Sequence, residues 1–161
     1  MDTVALDAIS DLGFDQNSPL YQKLVVEEQK VESLGAAAPG NLDPELFRVN
    51  AGVKDAKDLA SVEAQVKATA LAFASTPVEL KKLEALKQHL RYDFALALDN
   101  SESIAETVAG YVALRRTPET MNRYYDTYAK LTAADIQRVA RKYLIENNLN
   151  VVTLTYAGGT K

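Results

Sequence analysis

The chain has 161 residues, 47% of them hydrophobic, a formal net charge of -4 and a pI of about 5.1. That length and apolar content suit one globular domain with a sizeable core and exclude disorder. The acidic balance leaves no basic surface for phosphates, which excludes nucleic acid and anionic membranes as partners. No apolar run approaches the roughly 20 residues needed to cross a bilayer, no basic stretch with an apolar signal core opens the chain, and the absence of cysteine removes disulfides and thiolate ligands without deciding the compartment.

In chain order, an opening helix starts almost at Met1 and ends at Leu12-Gly13. Three Ser/Thr-Pro pairs then mark helix starts, Ser18-Pro19, Thr76-Pro77 and Thr117-Pro118, each combining an N-cap oxygen with a proline suited to the first helical position. Glu79 completes a capping box with Thr76, and Thr132 with Asp135 forms a weaker version. Residues 31–38 read as a strand. A turn-rich stretch over residues 39–44 closes a hairpin onto residues 47–53, where Phe47, Val49, Ala51 and Val53 alternate with Arg48, Asn50, Gly52 and Lys54.

Helical spacing follows. Leu59, Val62, Val66 and Phe73 form one stripe, and Leu80, Leu83, Leu86, Leu90, Phe94 and Leu98 the next. Ile104, Val108, Tyr111 and Val112 continue it, then Met121, Tyr124, Tyr128 and Leu131, then Ile136, Val139, Tyr143 and Leu144. Val152, Leu154 and Tyr156 alternate as a final strand. A helix, two strands, a long helical run and a last strand do not alternate as a doubly wound fold does. The expectation is therefore α+β, a mainly antiparallel sheet with helices packed on one face. No repeat or linker divides the chain, so 1–161 reads as a single domain.

Candidate chemistry is sparse. His89 is the lone histidine, and with Asp93 four residues on it reads as a surface ion pair, since two ligands do not close a zinc site. There is no Gly-x-Ser-x-Gly elbow, no phosphate-binding glycine loop and no cysteine nucleophile. A serine hydrolase built on His89 has no local support. Glu27, Glu28 and Glu32 read as solvated carboxylates. Arg115 and Arg116 sit at a helix end, where cations meet the negative end of the dipole, and Arg138, Arg141 and Lys142 admit the same reading beside an interdomain salt-bridge role. Core packing accounts for Tyr111, Tyr124, Tyr128 and Tyr143, which leaves Tyr125 for a peptide groove or interdomain contact.

Four blocks carry a resemblance to the C-terminal-type domain of the insulinase/pitrilysin zinc metallopeptidases. Leu12-Gly13 leads to Ser18, Leu20, Tyr21 and Leu24, with Pro19 in place of the family's arginine. Thr76-Pro77-Val78 precedes Leu83, Lys87, Leu90, Phe94 and Leu98, and residues 101–114 look like the next helix. Thr132, Asp135, Gln137, Arg138, Val139, Ala140, Lys142, Tyr143 and Leu144 resemble the family's closing helix, and residues 147–154 the strand after it.

The resemblance implies the fold of the mitochondrial processing peptidase and of respiratory-complex core subunits. It also implies a first strand that is missing here, as if the domain were excised from a longer chain. Family catalysis needs His-x-x-Glu-His, with two imidazoles on zinc and a glutamate base. One histidine cannot supply that motif, so no catalytic or metal residue is expected in this chain, and zinc is expected in a sister catalytic domain. The family's substrate-holding arginine and tyrosine fall on Val25 and Glu32, which removes that clamp. The implied partners are sister peptidase-family domains and, through the assembled chamber, a peptide substrate. The implied compartment leans toward the bacterial periplasm. A structural assembly subunit without substrate contact is the alternative, and a free-standing binding module the third reading.

Overall fold

The computed structural model describes residues 1–40, 43 and 45–155. The first element, α1 (Asp2–Phe14), is apolar around most of its circumference: Val4, Ala5, Leu6, Ala8, Ile9 and Phe14 are all buried. A helix with so narrow a polar face belongs in the centre of a domain rather than on its surface. It contacts the hairpin strand β1 and five other helices, and the close approach of one of them uses a glycine. A Cβ at Gly13 would stand 2.9 Å from the Phe73 ring.

Ser18 starts α2 (Pro19–Tyr21) as the spacing predicts, its hydroxyl accepting the Tyr21 N–H at 3.2 Å. The chain widens into a π-helical turn, Gln22–Glu27, and leaves it through Gln29, a non-glycine residue at φ 51°. Strands β1 (Val31–Ala37) and β2 (Arg48–Val53) then pair antiparallel, with Leu34 opposite Ala51 and Ala36 opposite Val49. Val31 pairs with Val53 but Ser33 with Gly52, so Glu32 is the extra residue of a bulge. Asn41, Leu42 and Pro44 of the expected turn lie outside the described residues.

The remaining helices are α3 (Leu59–Ser75), α4 (Leu80–Ala97), α5 (Ser101–Arg115), α6 (Glu119–Ala129) and α7 (Ala133–Tyr143). Helix α7 closes the core by laying Ile136, Val139 and Ala140 against α1 and α3. Each large side chain so buried contributes roughly 1.5–3 kcal/mol of transfer free energy.

Two expectations fail. The mainly antiparallel sheet of an α+β fold is not what forms: the domain is mostly helical, with a two-stranded sheet among the described residues. The last strand is the largest part of the discrepancy. Residues 151–155 alternate as a strand should, yet among the described residues no neighbour supplies the backbone donors and acceptors that make a ladder. Tyr156 lies outside the described residues.

The helix starts also depart from the sequence reading. The Thr76 side chain caps no helix. The Thr76 N–H donates to the Ala72 carbonyl at 2.8 Å and closes α3, and α4 begins only after the extended Pro77, Val78 and Glu79. The Glu79 carboxylate turns to Lys82 at 3.0 Å instead of reaching back to Thr76. At α6 the N-cap is Pro118, with no side-chain cap. The Thr132 box, by contrast, is complete: Thr132 Oγ1 accepts the Asp135 N–H at 3.1 Å while Asp135 Oδ2 accepts the Thr132 N–H at 3.2 Å.

Candidate functional site

Three places bring polar side chains together. The first is the corner where the end of α7 meets the start of α1. Ala140 and Val139 face the core, which turns Arg138 and Lys142 toward the first turn of α1, where an acidic residue is favoured by the helix dipole. Asp2 takes both cations: Arg138 Nη1 lies 3.2 Å from Oδ1, and Lys142 Nζ 3.0 Å from Oδ2. The Tyr143 hydroxyl donates to Oδ2 at 3.0 Å.

The Lys142 hydrogen bond is the largest influence on the Asp2 carboxyl and, with those of Tyr143 and Arg138, holds it below its usual range against the opposing cost of desolvation. Arg141 points the other way. Its Nε donates to the Ala74 carbonyl at 2.8 Å while Gln137 Nε2 donates to the Ser75 carbonyl at 3.2 Å, so α7 side chains satisfy the carbonyls at the end of α3. The three cations offered for interdomain contact are therefore engaged within this domain, although each side chain remains partly exposed.

The second place is an acid and tyrosine network between α1 and α6. Asp7 and Asp11 are four apart on α1 and share one face. The Tyr124 hydroxyl donates to Asp7 Oδ2 at 2.9 Å, and the Tyr128 hydroxyl, buried without a hydrogen-bond partner at normal distance, faces Asp11. Burial raises Asp7 above the usual carboxylate range. It raises Asp11 to about 6, helped by the charges of Asp15 and Asp7 and opposed by His89 and Tyr128. Sequence periodicity placed the tyrosines in the core, which fails for Tyr143, 38% exposed at the Asp2 corner, and it passed over both aspartates. The available signal was two acids spaced by one turn in a helix that is apolar around most of its circumference.

Beyond this network the aromatic rings run outward. Tyr124 meets Tyr128 at 6.1 Å between centroids and Tyr125 edge-on at 5.4 Å, and Tyr125 meets Phe94 at 4.0 Å. Tyr125, Phe94, Lys87, Arg91 and Asp126 line a shallow groove of about 210 Å³ between α4 and α6. His89 and Asp93 form the expected ion pair, 3.4 Å apart and half-exposed, beside the groove on α4.

The third place is the hairpin. Val25 is half-buried against the core, and Glu32 is exposed as the bulged residue of β1, so the structure does not join them into a clamp. The face of the sheet away from the core carries Ser33, Gly35, Ala37, Arg48 and Asn50, a small-residue and polar surface. Among the described residues, no group of three or more His, Cys, Asp or Glu side chains could hold a metal ion. The arrangement offers hydrogen-bonding and packing surfaces.

The fold is that of peptidase domains from zinc proteases. An inactive peptidase domain of a provisionally assigned zinc protease from Bordetella parapertussis superposes with a TM-score of 0.77 at 21% identity, over 91% of this chain and 80% of that one. A provisionally assigned zinc protease from Bordetella pertussis Tohama I gives 0.76 at 22% identity, over 91% and 81%. A protease from Helicobacter pylori gives 0.75 at 20% identity, and this chain spans only 36% of its length. No known family pattern and no curated sequence matches the chain.

Proposed function

We propose that this chain is a noncatalytic domain of a zinc metallopeptidase of the insulinase/pitrilysin type, forming part of the wall of a peptide chamber and a packing surface for sister domains. The observation that carries the proposal is the shared fold with an inactive peptidase domain over 91% of the chain, in a sequence whose one histidine cannot build His-x-x-Glu-His. Zinc, in this reading, belongs to a sister domain.

The sheet face with Ser33, Gly35 and Asn50 suits a chamber wall, because small and polar side chains let a peptide backbone approach. The Val25 and Glu32 positions argue that the wall confines peptide rather than gripping it. The same absence of a clamp favours, as a second reading, an assembly subunit that never meets substrate. A photoreactive peptide substrate added to the complete protease distinguishes the two. Labelling at residues 33–37 and 48–52 supports the chamber wall, and labelling confined to other domains supports the assembly subunit. The isolated chain is expected to hydrolyse no peptide with or without added zinc; zinc-dependent cleavage abolished by His89→Ala overturns both readings.

A further inference from the structure

The two edges of the hairpin are unequal. Helix α1 packs against β1, and the Ser10 hydroxyl donates to the Ala36 carbonyl at 2.8 Å on the side away from β2. The other edge, along β2, has no strand neighbour among the described residues. By the two-residue alternation, the Leu34 and Ala51 pair is of the same kind as the Ala36 and Val49 pair, so the Ala51 N–H and carbonyl point outward from β2. The usual protections are missing there: β2 contains no proline, its bulge lies on the partner strand, and its charges, Arg48 and the adjoining Lys54, stand at the ends. Ala51 points to the helical side of the sheet and is nonetheless exposed, so the helical layer stops short of this edge.

The same chain carries a segment with strand-like alternation that has no ladder partner among the described residues. Leu149, at φ -84° and ψ 129°, is extended, and residues 150–155 follow without helical or turn structure. Leu149 and Val151 line a cleft of about 540 Å³ against Ala64, Lys67, Ala68 and Leu71 of α3. Val152 and Leu154 stand 94% and 97% exposed. This is the pattern of a strand with one face resting on a helix and the other bare. Residues 149–155 carry no charge, so placing them beside Arg48 and Lys54 brings no like-charge repulsion.

We propose that residues 150–155 of one copy add as a strand to the open edge of β2 in a second copy, and the reverse, forming a two-fold dimer. An open edge and an unpaired apolar segment in one chain, not joined to each other, are the two halves of a self-complementary contact. The reciprocal arrangement satisfies both at once in a closed two-fold contact. Val152 and Leu154 then cover the strip beside Ala51 that the helices leave bare. The proposal rests on the edge and the segment, independently of any role in proteolysis.

Because the chain lacks cysteine, an A51C/V152C double variant treated with a short bismaleimide reports the contact cleanly. The expected result is a covalent dimer on a denaturing gel, a dimeric mass for the wild-type chain by light scattering, and a monomeric mass for both Ala51→Pro and a chain ending at Leu149. A wild-type monomer at sub-millimolar concentration, a cross-link confined to one chain, or a dimer unchanged by removal of residues 150–161 each overturns the proposal. Circular dichroism of each variant separates loss of dimer from loss of fold.

Discussion

The half of the molecule built from α1, α3, α7 and the hairpin differs sharply from the half built from α4, α5 and α6. In the first, Phe14, Ile9, Val31, Ile136 and Val139 are fully buried and three helices share one core. In the second, α4 buries Leu83, α6 buries Tyr128, and α5 buries nothing among its described side chains; Ile104 stays 41% exposed. Both halves are helical by sequence, and α4 has the longest leucine stripe in the chain. What separates them is the partner each apolar face finds. Helix α7 lands on a central helix that is apolar around most of its circumference, whereas α5 packs mainly on its sequence neighbours α4 and α6. A domain so arranged has a rigid end and a looser end, and local opening should begin in α4 to α6.

The strongest way to break this contrast is truncation of matched isoleucines. Ile136→Ala should cost about 2–5 kcal/mol in chemical denaturation, while Ile104→Ala should change stability by less than about 0.5 kcal/mol. Equal effects would show that α5 has an apolar contact the fold does not provide.

Next comes the acid network that joins the halves. Asp11 has its carboxyl raised to about 6 by burial, above its ordinary 3.8. A raised carboxyl favours the protonated folded state, so the stability it contributes is fully present below about 3.8 and is lost as pH climbs through about 6. Asp11→Asn should therefore stabilise the domain at pH 7 by on the order of 1–2 kcal/mol, after allowance for solvent screening, and flatten the profile between pH 4 and 7. A denaturation series over that range gives the answer, and a parallel profile in the variant would rule the effect out.

A smaller effect sharpens the contrast between helix starts. Thr132→Ala removes a complete capping box and should cost about 1 kcal/mol, whereas Thr76→Ala, at a residue whose side chain caps no helix, should cost a few tenths at most. Thermal melts of the two variants compare them directly.

Smallest is the corner ion cluster. Asp2→Asn should lower stability by less than about 1 kcal/mol, in a way that salt reduces. Because the Asp2 carboxyl is held below its ordinary value, its contribution exists above about 3.8 and disappears as pH falls through the lowered folded value. Its acid dependence thus runs opposite to that of Asp11. Melts at pH 3 and pH 7, at low and high salt, test both signs.

Helix positions were readable from spacing because the 3.6-residue period is a local property, and all five long stripes fall on helices α3 to α7 or their ends. The hairpin was readable for the same reason, from the alternation that ends at Val53. Capping was readable only in part. Thr132 with Asp135 and Thr76 with Glu79 have equivalent spacing, but a box forms only where the chain turns into helix at once, and Pro77-Val78 keeps Thr76 extended. The candidate site was less readable still. Periodicity assigned the tyrosines to the core, yet nothing local tells that Tyr124 would donate to an acid 117 residues away.

By itself the sequence determined the helices, the hairpin, the Thr132 cap and the absence of a two-histidine zinc motif, since each follows from residues within a few positions of one another or from simple count. The tertiary structure alone decided that Arg138 and Lys142 close on Asp2, that Arg141 serves the end of α3, and that residues 151–155 form no strand. Those outcomes depend on what lies across a gap in space. A cation takes whichever carboxylate the packing brings within reach, and a strand exists only when another strand stands beside it.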